Sequence, residues 1–125
     1  MSDFPESIIV DIRRIVRDWE PKLLALPPDV IVTRRNNQNR TIRQILGHLI
    51  DSASNNIHRT VHLQYRESPV EFPNYATFGN NDRWIAIQDY QTEDWQLMVA
   101  LWKYSNLHLA HVYSCMNPDK LEAEW

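Results

Sequence analysis

Apolar residues recur at three- and four-residue steps in three separate stretches of this chain. That spacing keeps them on one side of a helix turning about 100° per residue. The first stretch holds Ile8, Ile9, Ile12, Ile15, Val16, Trp19 and Leu23, with Arg13, Arg14, Arg17 and Asp18 on the other side. Pro21 falls late in it and predicts a kink or a fresh turn, and Pro27-Pro28 ends it. The second runs from Thr41 to about Arg66, with Ile42, Ile45, Leu46, Leu49, Ile50, Ala53, Ile57 and Val61 on one broad face. Thr41 and Gln44 have the spacing of a capping box, in which each side chain takes an orphan backbone N–H of the other's residue. In the third, Thr92 is the expected cap, and Glu93 and Asp94 fall in the first turn, where the helix dipole favours anions. Its expected core face is Trp95, Met98, Val99, Trp102, Leu109, Ala110, Tyr113 and Met116, and Asn117-Pro118 ends it.

Two connections separate these helices. Residues 28 to 40 read as a polar link with a short apolar patch, Val30-Ile31-Val32, and an Asn-rich turn at 36–39. Residues 68 to 91 form a longer excursion rich in Pro, Asn and aromatics, with a helical turn at Trp84-Ile85-Ala86-Ile87. A loop of that length in a small domain is usually functional or folded on itself. The pattern is that of a single all-α domain spanning 1–125, without internal repeats.

Composition agrees and narrows the partners. Two glycines in 125 residues argue against an all-β fold, which needs many tight turns. The net charge of −3, with no basic stripe, makes nucleic acid a poor partner. Arg34, Arg35, Arg40 and Arg43 read as a polar loop diluted by amides. No apolar run approaches the ~18 residues of a membrane span, and no signal peptide is visible, so the expected location is cytoplasmic. Cys115 stands alone, which rules out an intrachain disulfide, and its apolar neighbours predict a buried, inert thiol.

Candidate chemistry sits opposite the aliphatic face of the second helix. His48, Asp51, Asn55, Arg59 and His62 fall in one line there. Such a row is either solvated surface or one wall of a pocket, and spacing alone favours solvated surface. Gly47 beside it admits a ligand or a close helix contact. Asn106 interrupts the apolar face of the third helix, where it bonds a neighbouring helix or projects into a pocket. His108 and His111 are three apart and share a surface, a weak metal signal by themselves.

The segment Thr-Ile-Arg-Gln-Ile-Leu-Gly-His-Leu-Ile-Asp-Ser-Ala-Ser-Asn-Asn-Ile-His-Arg at 41–59 resembles the second helix of the DinB-like (DinB/YfiT) superfamily. Asn81-Asp82-Arg83-Trp84, Ile87-Gln88-Asp89-Tyr90, Trp95, Leu101-Trp102 and Asn106-Leu107-His108 agree in order, so the similarity covers roughly residues 8 to 120. The resemblance implies an up-down-down-up four-helix bundle, here three long helices with a short or missing fourth. It implies a divalent metal, zinc or nickel, on His48. Asp51, Asn55, Arg59 and Asn106 would line the pocket, with Trp84 over its mouth. It further implies a metal-dependent transferase or hydrolase acting on a small molecule, some relatives being thiol-dependent. The family's remaining two ligands form a His-x-x-x-His pair on the fourth helix, and no such pair follows Asn117 here. The alternative is a non-catalytic bundle serving as a binding or oligomerisation module. Three helices of a four-helix bundle expose an apolar groove, so a homodimer is expected.

Overall fold

The computed structural model describes residues 5–65 and 79–117. Within them lie five helices: α1 (Glu6–Leu24), α2 (Pro28–Thr33), α3 (Ile42–Tyr65), α4 (Asn80–Gln88) and α5 (Trp95–Ser114). No strand occurs among the described residues; one isolated bridge pairs Arg35 with Thr41. The all-α expectation holds, and none of these helices is long and apolar enough to cross a membrane. The first part of the 68–91 excursion, residues 68–78, lies outside the described residues.

α5 is the central element, with α1 and α3 both packed along it. The core joins Val16 of α1, Leu46 and Ile50 of α3, Ile85 of α4, Tyr90, and Met98, Val99 and Trp102 of α5. Polar ties fix the α1–α5 pair. The Trp95 indole donates to the Leu23 carbonyl at 2.9 Å, tying α5 to the end of α1. Lys103 Nζ lies 3.0 Å from a Glu20 carboxylate oxygen.

Several local expectations change. α1 continues past Pro21 to Leu24 instead of starting a fresh turn there. The connection at 28–40 contains α2, because Pro28 occupies the first turn, where its missing N–H costs nothing. Ile31 of the apolar patch is 1% exposed, so burial against the bundle holds that short helix in place. The helical turn around Trp84 extends to nine residues, Asn80–Gln88, closed by Asp89 at φ 49°. Asp94, not Thr92, caps α5: its carboxylate accepts from Leu97 N at 2.8 Å. Thr92 instead donates to the Asp89 carbonyl and carboxylate, closing the preceding turn. Cys115, the residue that caps α5, is exposed, contrary to the buried thiol expected: it falls on the outer side of the helix, in step with His108 and His111.

Candidate functional site

The N-terminus of α3 organises one side of the molecule. The Thr41–Gln44 capping box forms as expected, with Thr41 N donating to Gln44 Oε1 at 3.0 Å and Gln44 N to Thr41 Oγ1 at 3.2 Å. The Thr41 hydroxyl also donates to Gln91 Oε1. Arg43 reaches across to the carbonyls of Glu93 and Tyr90, with its guanidinium 5.7 Å from the Trp95 ring. Arg40 pairs with Asp82 of α4 at 2.9 Å. Two arginines of the supposed polar loop therefore staple α4 and the 89–95 segment to α3. The sequence pattern concealed this, since their partners lie some 40 to 50 residues away.

The staple delivers Tyr90, which is buried, onto Gly47. A Cβ at position 47 would strike Cδ2 of that ring. Gly47 thus serves close packing within the chain, one of the two roles its position allowed. From there the Tyr90 hydroxyl donates to Asp51 Oδ1 at 2.6 Å. Gln88 Nε2 donates to the same oxygen at 2.8 Å, and its Oε1 lies 2.9 Å from the Tyr90 hydroxyl, whose one proton the two acceptors share. Asp51, Tyr90 and Gln88 form a closed triangle between α3 and α4.

Asp51 is 1% exposed and Asn55 is 7% exposed, so the middle of the polar line is not solvated surface. Gln88 at the end of α4 and Tyr90 cover Asp51. Asn55 Nδ2 donates to the Asp51 carbonyl at 2.9 Å, turning inward on its own helix. Asp51 Oδ2 is buried without a hydrogen-bond partner. Burial pushes the Asp51 carboxyl above its usual range, against the opposing bonds from Tyr90 and Gln88 and the nearby His48. His48, one turn before Asp51, is half-buried. Its pKa is lowered by burial and then by the Arg40 charge, against opposing pulls from Asp51 and Asp82. Both shifts favour the neutral forms of a histidine and a carboxylic acid standing one helical turn apart.

The remaining expected site residues are spread out. Arg59 is half-buried two turns beyond Asp51, and His62 accompanies the Tyr65 hydroxyl at 2.9 Å near the end of α3. Trp84 lies on α4, its carbonyl accepting from Gln88 Nε2 at 3.1 Å. Asn106 is elsewhere altogether. It lines a groove of ≈ 420 Å³ between α1 and α3, floored by α5. Ile15 and Trp19 form one wall, Leu49, Ser52 and Asn56 the other, and Trp102 and Leu109 flank Asn106 below. Asn106 Nδ2 donates to the Trp102 carbonyl of its own helix at 2.8 Å. It therefore shares no pocket with Asp51.

Among the described residues the donor set around His48 stops short of three ligands. A catalytic zinc takes three protein ligands. Among the described residues no three His, Cys, Asp or Glu side chains are placed to hold an ion. Tyr90 and Gln88, which fix the buried carboxylate, belong to a segment that carries the resemblance, but the sequence reading gave neither a role in the site. The signal available was Gly47, a mid-helix glycine asking what sits against it. Compared with family models, curated proteins and solved structures, the chain finds no match.

Proposed function

We propose that the chain is a DinB-like helical bundle acting as a binding module, with the groove between α1 and α3 as its ligand site. The observation that carries this reading is the groove itself. Its ≈ 420 Å³ falls in the range of small-molecule sites, about 300–1,000 Å³. Two indoles and an aliphatic wall surround a few convergent polar groups, Ser52, Asn56 and Asn106. With Nδ2 bonded to its own helix, the Asn106 amide offers Oδ1 as an acceptor. The chemistry suits a mostly apolar molecule bearing one hydrogen-bond donor. The homodimer expected from an exposed apolar groove is the competing use of this same face.

Ala53, 2% exposed, lies on the groove wall, so Ala53→Phe projects a ring into the space. Anilinonaphthalene sulfonate serves as the probe, read by energy transfer from the groove tryptophans. One saturable site in the native chain, weakened at least tenfold in Ala53→Phe, supports the reading. Equal binding by both proteins, with both folded by circular dichroism, overturns it.

A metal-dependent transferase or hydrolase centred on His48, with zinc or nickel, is the second reading. It is favoured by the unpartnered Asp51 Oδ2 one turn from that histidine. Metal content of the purified chain against that of His48→Ala decides it: a stoichiometric ion lost in the variant supports the enzyme, and none after metal repletion removes it.

A further inference from the structure

Leu97, Leu101, Tyr104, His108, His111 and Cys115 follow one another on α5 and its cap at steps of four, three, four, three and four. All six are exposed. α5 packs on α1 and α3 through a different set, including Met98, Val99, Trp102, Leu109 and Ala110. Alternating steps of three and four are what a helix presents to a second helix running alongside it. The stripe is apolar in its first half and carries metal-ligand chemistry in its second.

The geometry of that second half is specific. His111 Nε2 stands 3.7 Å from Cys115 Sγ. With bonds of about 2.0–2.1 Å to nitrogen and 2.3 Å to sulfur, two donors on one tetrahedral zinc lie roughly 3.5 Å apart. The His108 ring stacks beside His111, centroids 6.1 Å apart. One chain offers a bidentate half-site, since no three such donors converge among its described residues.

We propose that a second copy of this chain docks in parallel on the outer face of α5, and that the His111–Cys115 pairs of the two copies enclose one thiophilic divalent ion of the zinc class. Parallel, in-register pairing runs the two-fold axis along the stripe. Leu97, Leu101 and Tyr104 then meet their own copies, and two histidines and two cysteines meet one ion. That is a Cys₂His₂ set, the tetrahedral arrangement of structural zinc. Each Cys115 thiol releases its proton to solvent as its sulfur binds the ion. The described residues of one copy supply two donors, so metal and dimer form together. The groove between α1 and α3 stays free.

The test uses the full chain, stripped with a chelator and kept reduced, then titrated with zinc and separately with cobalt(II). Light scattering is expected to show the mass doubling at one zinc per two chains. Cobalt is expected to give tetrahedral ligand-field bands and a thiolate-to-metal charge-transfer absorption. Cys115 is the single cysteine of the chain, so that absorption reports this site and not His48. Cys115→Ser, an exposed substitution, is expected to lose both the absorption and the metal-dependent doubling, and His111→Ala the doubling. An unchanged mass with zinc, a dimer equally formed without metal, or an absorption that survives Cys115→Ser overturns the proposal.

Discussion

The two flanks of α3 differ from what their residues suggest: the polar one is buried at Asp51, and the aliphatic one, buried at Leu46, Ile50 and Ala53, opens at its rim. On the polar flank Asp51 and Asn55 are buried, Asp51 beneath Gln88 and Tyr90. The aliphatic flank ends in open groove, where Leu49 is 43% exposed and faces Trp19, itself 50% exposed, across the gap. A buried carboxylate is tolerated because Tyr90 and Gln88 both donate to it. An exposed leucine needs no such partner, since apolar atoms make up much of any protein surface. The lesson is that helical periodicity separates two faces without saying which of them the rest of the chain will cover. Cross-chain polar contacts should therefore make one flank sensitive to substitution and leave the other tolerant.

Gly47→Ala gives the sharpest break of that contrast. The new methyl displaces the Tyr90 ring, and the displaced hydroxyl leaves Asp51 short of a donor. Overpacking and a buried group left unsatisfied each cost about 1–3 kcal/mol. The gain in helix propensity, about 0.5–1 kcal/mol, offsets a fraction of that. A net loss of about 3 kcal/mol is expected in urea unfolding, and a neutral result would show that Tyr90 does not rest there.

Tyr90→Phe keeps the ring and removes the donor, with an expected loss of about 2 kcal/mol. It also carries a pH signature. The folded state holds the Asp51 proton more tightly than the unfolded chain does. The stability linked to that proton is present below the unfolded value, about 3.9, and is lost as pH rises through the folded one. Tyr90 and Gln88 oppose the rise, so Tyr90→Phe moves the folded value further up and steepens the loss from acid towards neutrality. His48 acts in the opposite sense: its contribution is present above about 6.5 and fades as pH falls through its lowered value. Unfolding free energies of the native chain and Tyr90→Phe across pH 4 to 8 would show the steeper slope, and parallel curves would remove the coupling.

The smallest effect is expected on the other flank. Leu49→Gln at the groove rim should change stability by no more than about 0.5 kcal/mol, as surface substitutions usually do. A loss approaching that of Tyr90→Phe would mean the groove wall is part of the core, and the contrast between flanks would fail.

Much of the framework was legible because it is local. The Thr41–Gln44 box links residues three apart, and the core face of α5 follows its own apolar spacing. The places where the reading fails share a different cause. Asp94 displaced Thr92 as a cap because Thr92 was held by Asp89, and Arg40 and Arg43 found partners on segments distant in sequence. The candidate site is less legible still. His48 and Asp51 stand out on α3, but Tyr90 and Gln88 belong to a connection with no periodic pattern. Asn106, which the resemblance places in the same pocket, lines a separate groove.

By itself the sequence determined the three long helices, their all-α assembly and the residues able to carry chemistry, because caps and apolar spacing act over one or two helical turns. Only the tertiary structure decided which flank of α3 is covered, which carboxylate is desolvated and which glycine is crowded. It also left the outer stripe of α5 open, with His111 and Cys115 within reach of one ion. Those outcomes depend on burial, and burial depends on what distant segments bring against a helix.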